Sequence, residues 1–127
     1  MTAEEVFKKI GTRLVQGMMI HDELANYYDF LALKGYVMCH EYHYKKESCY
    51  YRKINHYFIT HYGKLIPKEK IDGKDIIPAS WFNHKREDVD SNLKRESVKM
   101  GIETWVAWET ETKKFYEDMY KELISLN

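Results

Sequence analysis

Only two prolines occur in this 127-residue chain, Pro67 and Pro78, and both fall in one short region. Proline lacks a backbone N–H and costs about 3 kcal/mol in a helix interior. Its confinement to residues 63–82 leaves a long stretch on either side free to run as helix. Both stretches carry apolar residues at helical spacing. The pattern predicts an all-α antiparallel bundle of three long helices, over residues 3–34, 37–62 and 87–126. These form one domain spanning residues 1–127, with an irregular connection over 63–82. A fourth helix requires a break near Gly101 or a helix from a partner subunit.

Thr2 and Glu5 form a capping-box signature at the first helix start. Phe7, Ile10, Leu14, Met18, His21, Leu24 or Ala25, Tyr28 and Leu31 make its core stripe, and Gly35 is the candidate stop. In the third helix the stripe is Val98, Ile102, Trp105, Glu109, Thr112, Tyr116, Met119 and Leu123. In the connection, Ile76, Ile77, Trp81 and Phe82 are placed to pack across the bundle or to present a binding edge.

The second helix is unusual in its polar atoms. Between His40 and Tyr62 it holds four histidines and six tyrosines. His40, His43, Tyr44, Glu47, Tyr50, Tyr51, Ile54, Tyr57 and Phe58 share its only apolar face. Two imidazoles and a carboxylate on a core face must be satisfied by internal hydrogen bonds or by a metal. His56 and His61 share a face poorly and read as helix-end decoration.

If the hairpin pivots near Gly35, Glu23 and Glu47 lie level, and His21 falls about half a turn beyond Glu47. Glu109 joins them from the third helix. The candidate metal set is therefore His21, Glu23, His40, His43, Glu47 and Glu109. Imidazole and carboxylate drawn inward from several helices make iron and manganese sites, so iron or manganese is the cofactor implied. A Tyr–His–Glu hydrogen-bond network in a polar core layer remains the alternative. Dinuclear bundle sites show Glu-x-x-His twice, and that pattern occurs nowhere in this sequence. There is no hydrolase triad, phosphate-cradling loop or zinc-type Cys/His spacing, and nothing assigns an enzymatic reaction.

The segments HDELANYYDFLALKGY and LKGYVMCHEYHYKKE resemble the first helix, turn and second helix of the ferritin-like superfamily, in the manner of its miniferritin and rubrerythrin-type bundles. Gly35 and His40–Glu41 stand at the matching positions, and His43-x-x-x-Glu47 reproduces a His–acid pair one turn apart. Tyr44 stands where the family has an acid, and the turn is two residues shorter. The resemblance covers about 40 residues and implies a helical bundle that often holds iron.

Composition narrows the partners. The chain is 44% hydrophobic and 31% charged, as a globular protein is, with a formal net charge of zero. No polybasic run is present, and the local positive charge of residues 83–86 and 94–95 is largely cancelled by neighbouring acids. Nucleic-acid binding is therefore disfavoured. No apolar run reaches membrane-spanning length. Cys39 and Cys49 are separated by about 15 Å of helix rise, too far for a disulfide. With no secretory pattern at the N-terminus, free thiols point to the cytoplasm. The aromatic surplus, above all Trp81, Phe82, Trp105 and Trp108, suits a protein partner or self-association. The second functional expectation is thus a non-enzymatic interaction module, such as a phage- or mobile-element-encoded inhibitor of a host or defence protein.

Overall fold

The computed structural model describes residues 1–71 and 77–126, and Ile76 lies outside them. Three long helices dominate: α1, Ala3–Phe30; α2, Lys34–Tyr62; and α3, Ser91–Ser125. Two short 3-10 helices, Ala79–Asn83 and Arg86–Asp88, lead into α3. No strand occurs among the described residues. No described helix is long and apolar enough to cross a membrane.

The capping box forms as expected: Glu5 N–H donates to Thr2 Oγ1 at 3.2 Å, and Thr2 N–H to Glu5 Oε2 at 2.9 Å. The end of α1 differs from the expectation. Leu33 N–H donates to the Tyr28 carbonyl at 2.9 Å and Ala32 N–H to the Asp29 carbonyl at 3.0 Å. This is the Schellman closure, with Ala32 at the left-handed position, φ 58°. Gly35 instead lies in the first turn of α2. Gly63, φ 68°, ends α2 as the sequence indicates.

The third helix starts four residues later than expected, where the Asp90 side chain accepts from Leu93 N–H at 2.8 Å. It then runs unbroken through Gly101. That residue is a contact site, not a break: a Cβ there would meet Tyr28 Cζ at 2.8 Å. The two helices come close because Gly101 has no side chain.

The core centres on α1, where Ile20, Leu24, Tyr27, Tyr28 and Leu31 meet Trp81 and Trp108. Ile77 packs against this cluster, whereas Phe82 is 68% exposed. Each of α2 and α3 packs on α1, and α2 meets α3 through side chains, Trp105 against His40 and His43. With most of its backbone packing against α1, the buried strip of α2 is narrower than its sequence pattern. Tyr44, Tyr50 and Tyr57 are exposed, against the expectation. The same geometry leaves Ile102 and Glu109 of α3 exposed, while Ser97, Gly101, Trp108, Thr112 and Met119 form its buried strip.

Candidate metal centre

His21 sits at mid-length in α1 and is 0% exposed. Its Nδ1 lies 2.9 Å from Nδ1 of His40, which α2 buries against it. Its Nε2 lies 3.8 Å from Glu47 Oε1 of α2 and 3.8 Å from Glu109 Oε1 of α3. One donor atom from each of His21, Glu47 and Glu109 falls within 4.8 Å of the others. All three helices therefore contribute one side chain.

Aromatic rings hold this set. His43 stacks on His21 with ring centroids 5.2 Å apart. Trp105 stands edge-on to His21, His40 and His43, and its Nε1–H donates to Glu109 Oε1 at 3.2 Å. Tyr28 stacks on His40 at 5.6 Å. Gly17 makes room for the Glu47 carboxylate: a Cβ there would lie 2.5 Å from Glu47 Oε2.

Burial sets the protonation. Desolvation, with His40 and His43 alongside, pushes His21 down to about 3, and desolvation with His43 pushes His40 to about 4. Both imidazoles are neutral near pH 7. The 3.8 Å approaches of His21 to the two carboxylates are consequently not ion pairs, and they are too long for hydrogen bonds. Among the described residues, His21 Nε2 and Glu47 Oε2 find no hydrogen-bond partner. Desolvation and then repulsion by Glu109 raise Glu47 to about 7, with Arg13 opposing. Burial and the Glu47 charge likewise raise Tyr116 to about 12.

Arg13 reaches toward the centre from α1. Its guanidinium lies 3.5 Å over the Trp108 ring. It donates to Thr112 Oγ1 through Nη2 at 2.8 Å and through Nε at 3.1 Å. A planar guanidinium with this many donors suits a stacked, multidentate position.

Of the six candidate ligands, His21, His40, His43, Glu47 and Glu109 gather in one cluster. Glu23 does not: it is exposed and lines a separate hollow with Tyr27 and Trp81. The cause is the pivot. The chain reverses at Ala32, not Gly35, so the level partner of Glu47 is Gly17, each fifteen residues from Ala32. Among the candidate partner residues, Trp81 and Trp108 are buried, Trp105 is half-buried against the histidines, and Phe82 alone stands out at the surface. His56 and His61 are exposed and are not among the clustered residues. Sequence reasoning missed Gly17 and Arg13. The Trp105–Glu109 bond was findable, because residues four apart on a helix are neighbours.

Comparison with protein-family models, with curated proteins and with solved structures returns no match.

Proposed function

We propose that this chain is a metal-binding helical protein whose His21, Glu47 and Glu109 hold one divalent ion, iron or manganese. One observation carries this: a fully buried imidazole nitrogen without a hydrogen-bond partner faces carboxylates from two other helices. Leaving such an atom unsatisfied costs about 1–3 kcal/mol, and an ion removes that cost.

The His21–His40 contact is compatible with it. In the tautomer where His21 donates Nδ1–H to His40, the Nε2 lone pair is directed at the carboxylates. Metal-bound histidines characteristically donate their other ring N–H in this way. Burial keeps His21 neutral, so no proton competes for the ligand atom. Two carboxylates balance a dication, and mixed nitrogen and oxygen donors suit iron or manganese. The Glu109 side chain is 49% exposed, which leaves one side of the ion open to water or a small reactant. The likeness of the α1–α2 hairpin to ferritin-like proteins supports iron. Absence of Glu-x-x-His supports a mononuclear centre in place of a dinuclear one.

Elemental analysis of protein purified without a His-tag tests this. About one equivalent of iron or manganese is expected, lost in Glu47→Gln and Glu109→Gln. No bound transition metal, together with unchanged stability in the Glu47→Ala plus His43→Ala double variant, rejects it.

A second reading is an interaction module, including an inhibitor of a host or defence protein carried by a phage or mobile element. The exposed tyrosine edge of α2, Tyr42, Tyr50 and Tyr57, favours it, since Tyr is enriched in interface hot spots. Replacing these three by serine would abolish partner capture and leave metal binding intact.

A further inference from the structure

The third helix carries two apolar faces, and only one of them is covered. Ser97, Gly101, Trp108, Thr112 and Met119 form the strip buried on α1. Roughly 100° round the helix runs a second stripe: Ile102, Val106, Glu109, Lys113, Tyr116 and Tyr120. Its members alternate four and three residues apart, the heptad spacing at which helices pair as coiled coils. Ile102, Val106 and Tyr120 are 45%, 57% and 65% exposed. Trp105 and Val106 wall a shallow hollow beside Glu109 and Lys113, room for a side chain from a facing helix. The next face round is polar throughout, with Lys99, Glu103, Thr110, Lys114, Glu117 and Lys121. The stripe is therefore a contact face and not a solvated one.

The two charges in the middle of the stripe decide what can cover it. Lys113 makes no hydrogen bond or ion pair among the described residues. Glu109 engages Trp105 and faces His21 through Oε1, which leaves Oε2 free. In an antiparallel two-fold pair, residue i meets j of the partner and j meets i. One register sets Ile102 level with the partner's Tyr120, Val106 with the partner's Tyr116 and Glu109 with the partner's Lys113. Every member of the stripe then has a counterpart, and opposite charges meet twice. A shift by one heptad sets Glu109 against the partner's Val106 or the partner's Tyr120 instead. A parallel pair opposes Glu109 to the partner's Glu109, and Lys113 to the partner's Lys113, which repulsion disfavours. In the favoured register Glu103 approaches the partner's Glu117 at the solvent rim. Each has a lysine one turn along, Lys99 and the partner's Lys121, and salt screens a rim contact.

We infer that this stripe binds a second copy of the chain, forming an antiparallel dimer through the two α3 helices. The partner's Lys113 meets Glu109 at Oε2, the oxygen that Trp105 does not hold. The pairing needs no bound metal, because the carboxylate is the same with or without one.

Sedimentation velocity of the full chain over a range of concentrations tests it. A reversible dimer is expected. Val106→Glu buries a carboxylate against the partner's Tyr116 and is expected to weaken association about tenfold or more. Glu109→Lys and Lys113→Glu each turn both opposite-charge contacts into like-charge ones. Each is expected to weaken association about a hundredfold. Combined in one chain, they exchange the two charges and are expected to restore the dimer. All three positions are exposed, so folding is retained. Lys113→Glu keeps the Glu109 ligand and the double variant lacks it, so association and metal content vary independently. A monomer at every concentration, a dimer indifferent to Val106→Glu, or a double variant that associates no better than the single ones overturns the inference.

Discussion

Ala32 sets the register of the metal centre, and it does so from a backbone conformation that alanine resists. Its φ of 58° is left-handed, which costs a Cβ-bearing residue about 1–2 kcal/mol. Ala32→Gly is therefore expected to raise unfolding stability by about 1 kcal/mol, read by urea denaturation; a loss of stability would contradict the Schellman closure. Gly17 makes a different demand. In Gly17→Ala the new methyl would occupy the space of the Glu47 carboxylate. Glu47 is flexible and moves aside, while alanine gains up to about 1 kcal/mol of helix propensity. The expected result is near-unchanged stability with metal binding lost, measured by thermal unfolding with and without Mn²⁺. These two residues mark what the sequence conceals. The inward turn of His21, His40, His43 and Glu47 is legible in their spacing, because helical periodicity is a local property. Which α1 residue stands opposite Glu47 is not, because it depends on where the chain reverses. A left-handed alanine gives no signal when a glycine stands three residues later.

At the level of elements, α3 is the least predictable from its own residues. Its start was obscured by Glu87 and Asp88, which resemble first-turn acids, but Asp90 supplies the side-chain cap. Its continuity through Gly101 was equally hidden, since glycine in a helical pattern reads as a weak point until a neighbour is seen to fill its place. That neighbour is Tyr28, whose ring is 1% exposed and held by the core cluster. Gly101→Ala therefore has no flexible side chain to push away. Unlike Gly17→Ala, it is expected to destabilise the fold by about 1–3 kcal/mol despite alanine's better propensity. Calorimetry on the two variants side by side separates a contact that holds the helices together from one that makes room for a ligand. Equal effects would remove the distinction.

For the whole molecule, the buried cluster makes stability depend on pH in a direction that can be worked out. Between about pH 4.5 and 6.5 the unfolded chain carries protons on His21 and His40, and the folded chain carries neither. Over the same window folded Glu47 keeps a proton that unfolded Glu47 has lost. The unfolded state thus binds one proton more, and stability rises with pH by roughly 1 kcal/mol per pH unit. His43, also lowered, adds in the same direction. Between about pH 6.5 and 7.5 the unfolded imidazoles lose their remaining protons while folded Glu47 loses its own, and the two contributions nearly cancel. A bound dication holds Glu47 as carboxylate throughout and stabilises the fold by mass action. The expected calorimetric profile of chelator-treated protein thus climbs from about pH 4.5 and levels off at about pH 7. With excess Mn²⁺ the whole curve rises and the acid limb steepens by about one proton's worth, because Glu47 no longer keeps its proton in the folded state. His40→Gln is expected to flatten the acid limb by about one proton's worth, roughly 1 kcal/mol per pH unit. A flat acid limb in the unmodified chain would mean that the imidazoles are not buried as a neutral pair. An acid limb that does not steepen with saturating Mn²⁺ would mean that Glu47 does not hold the ion.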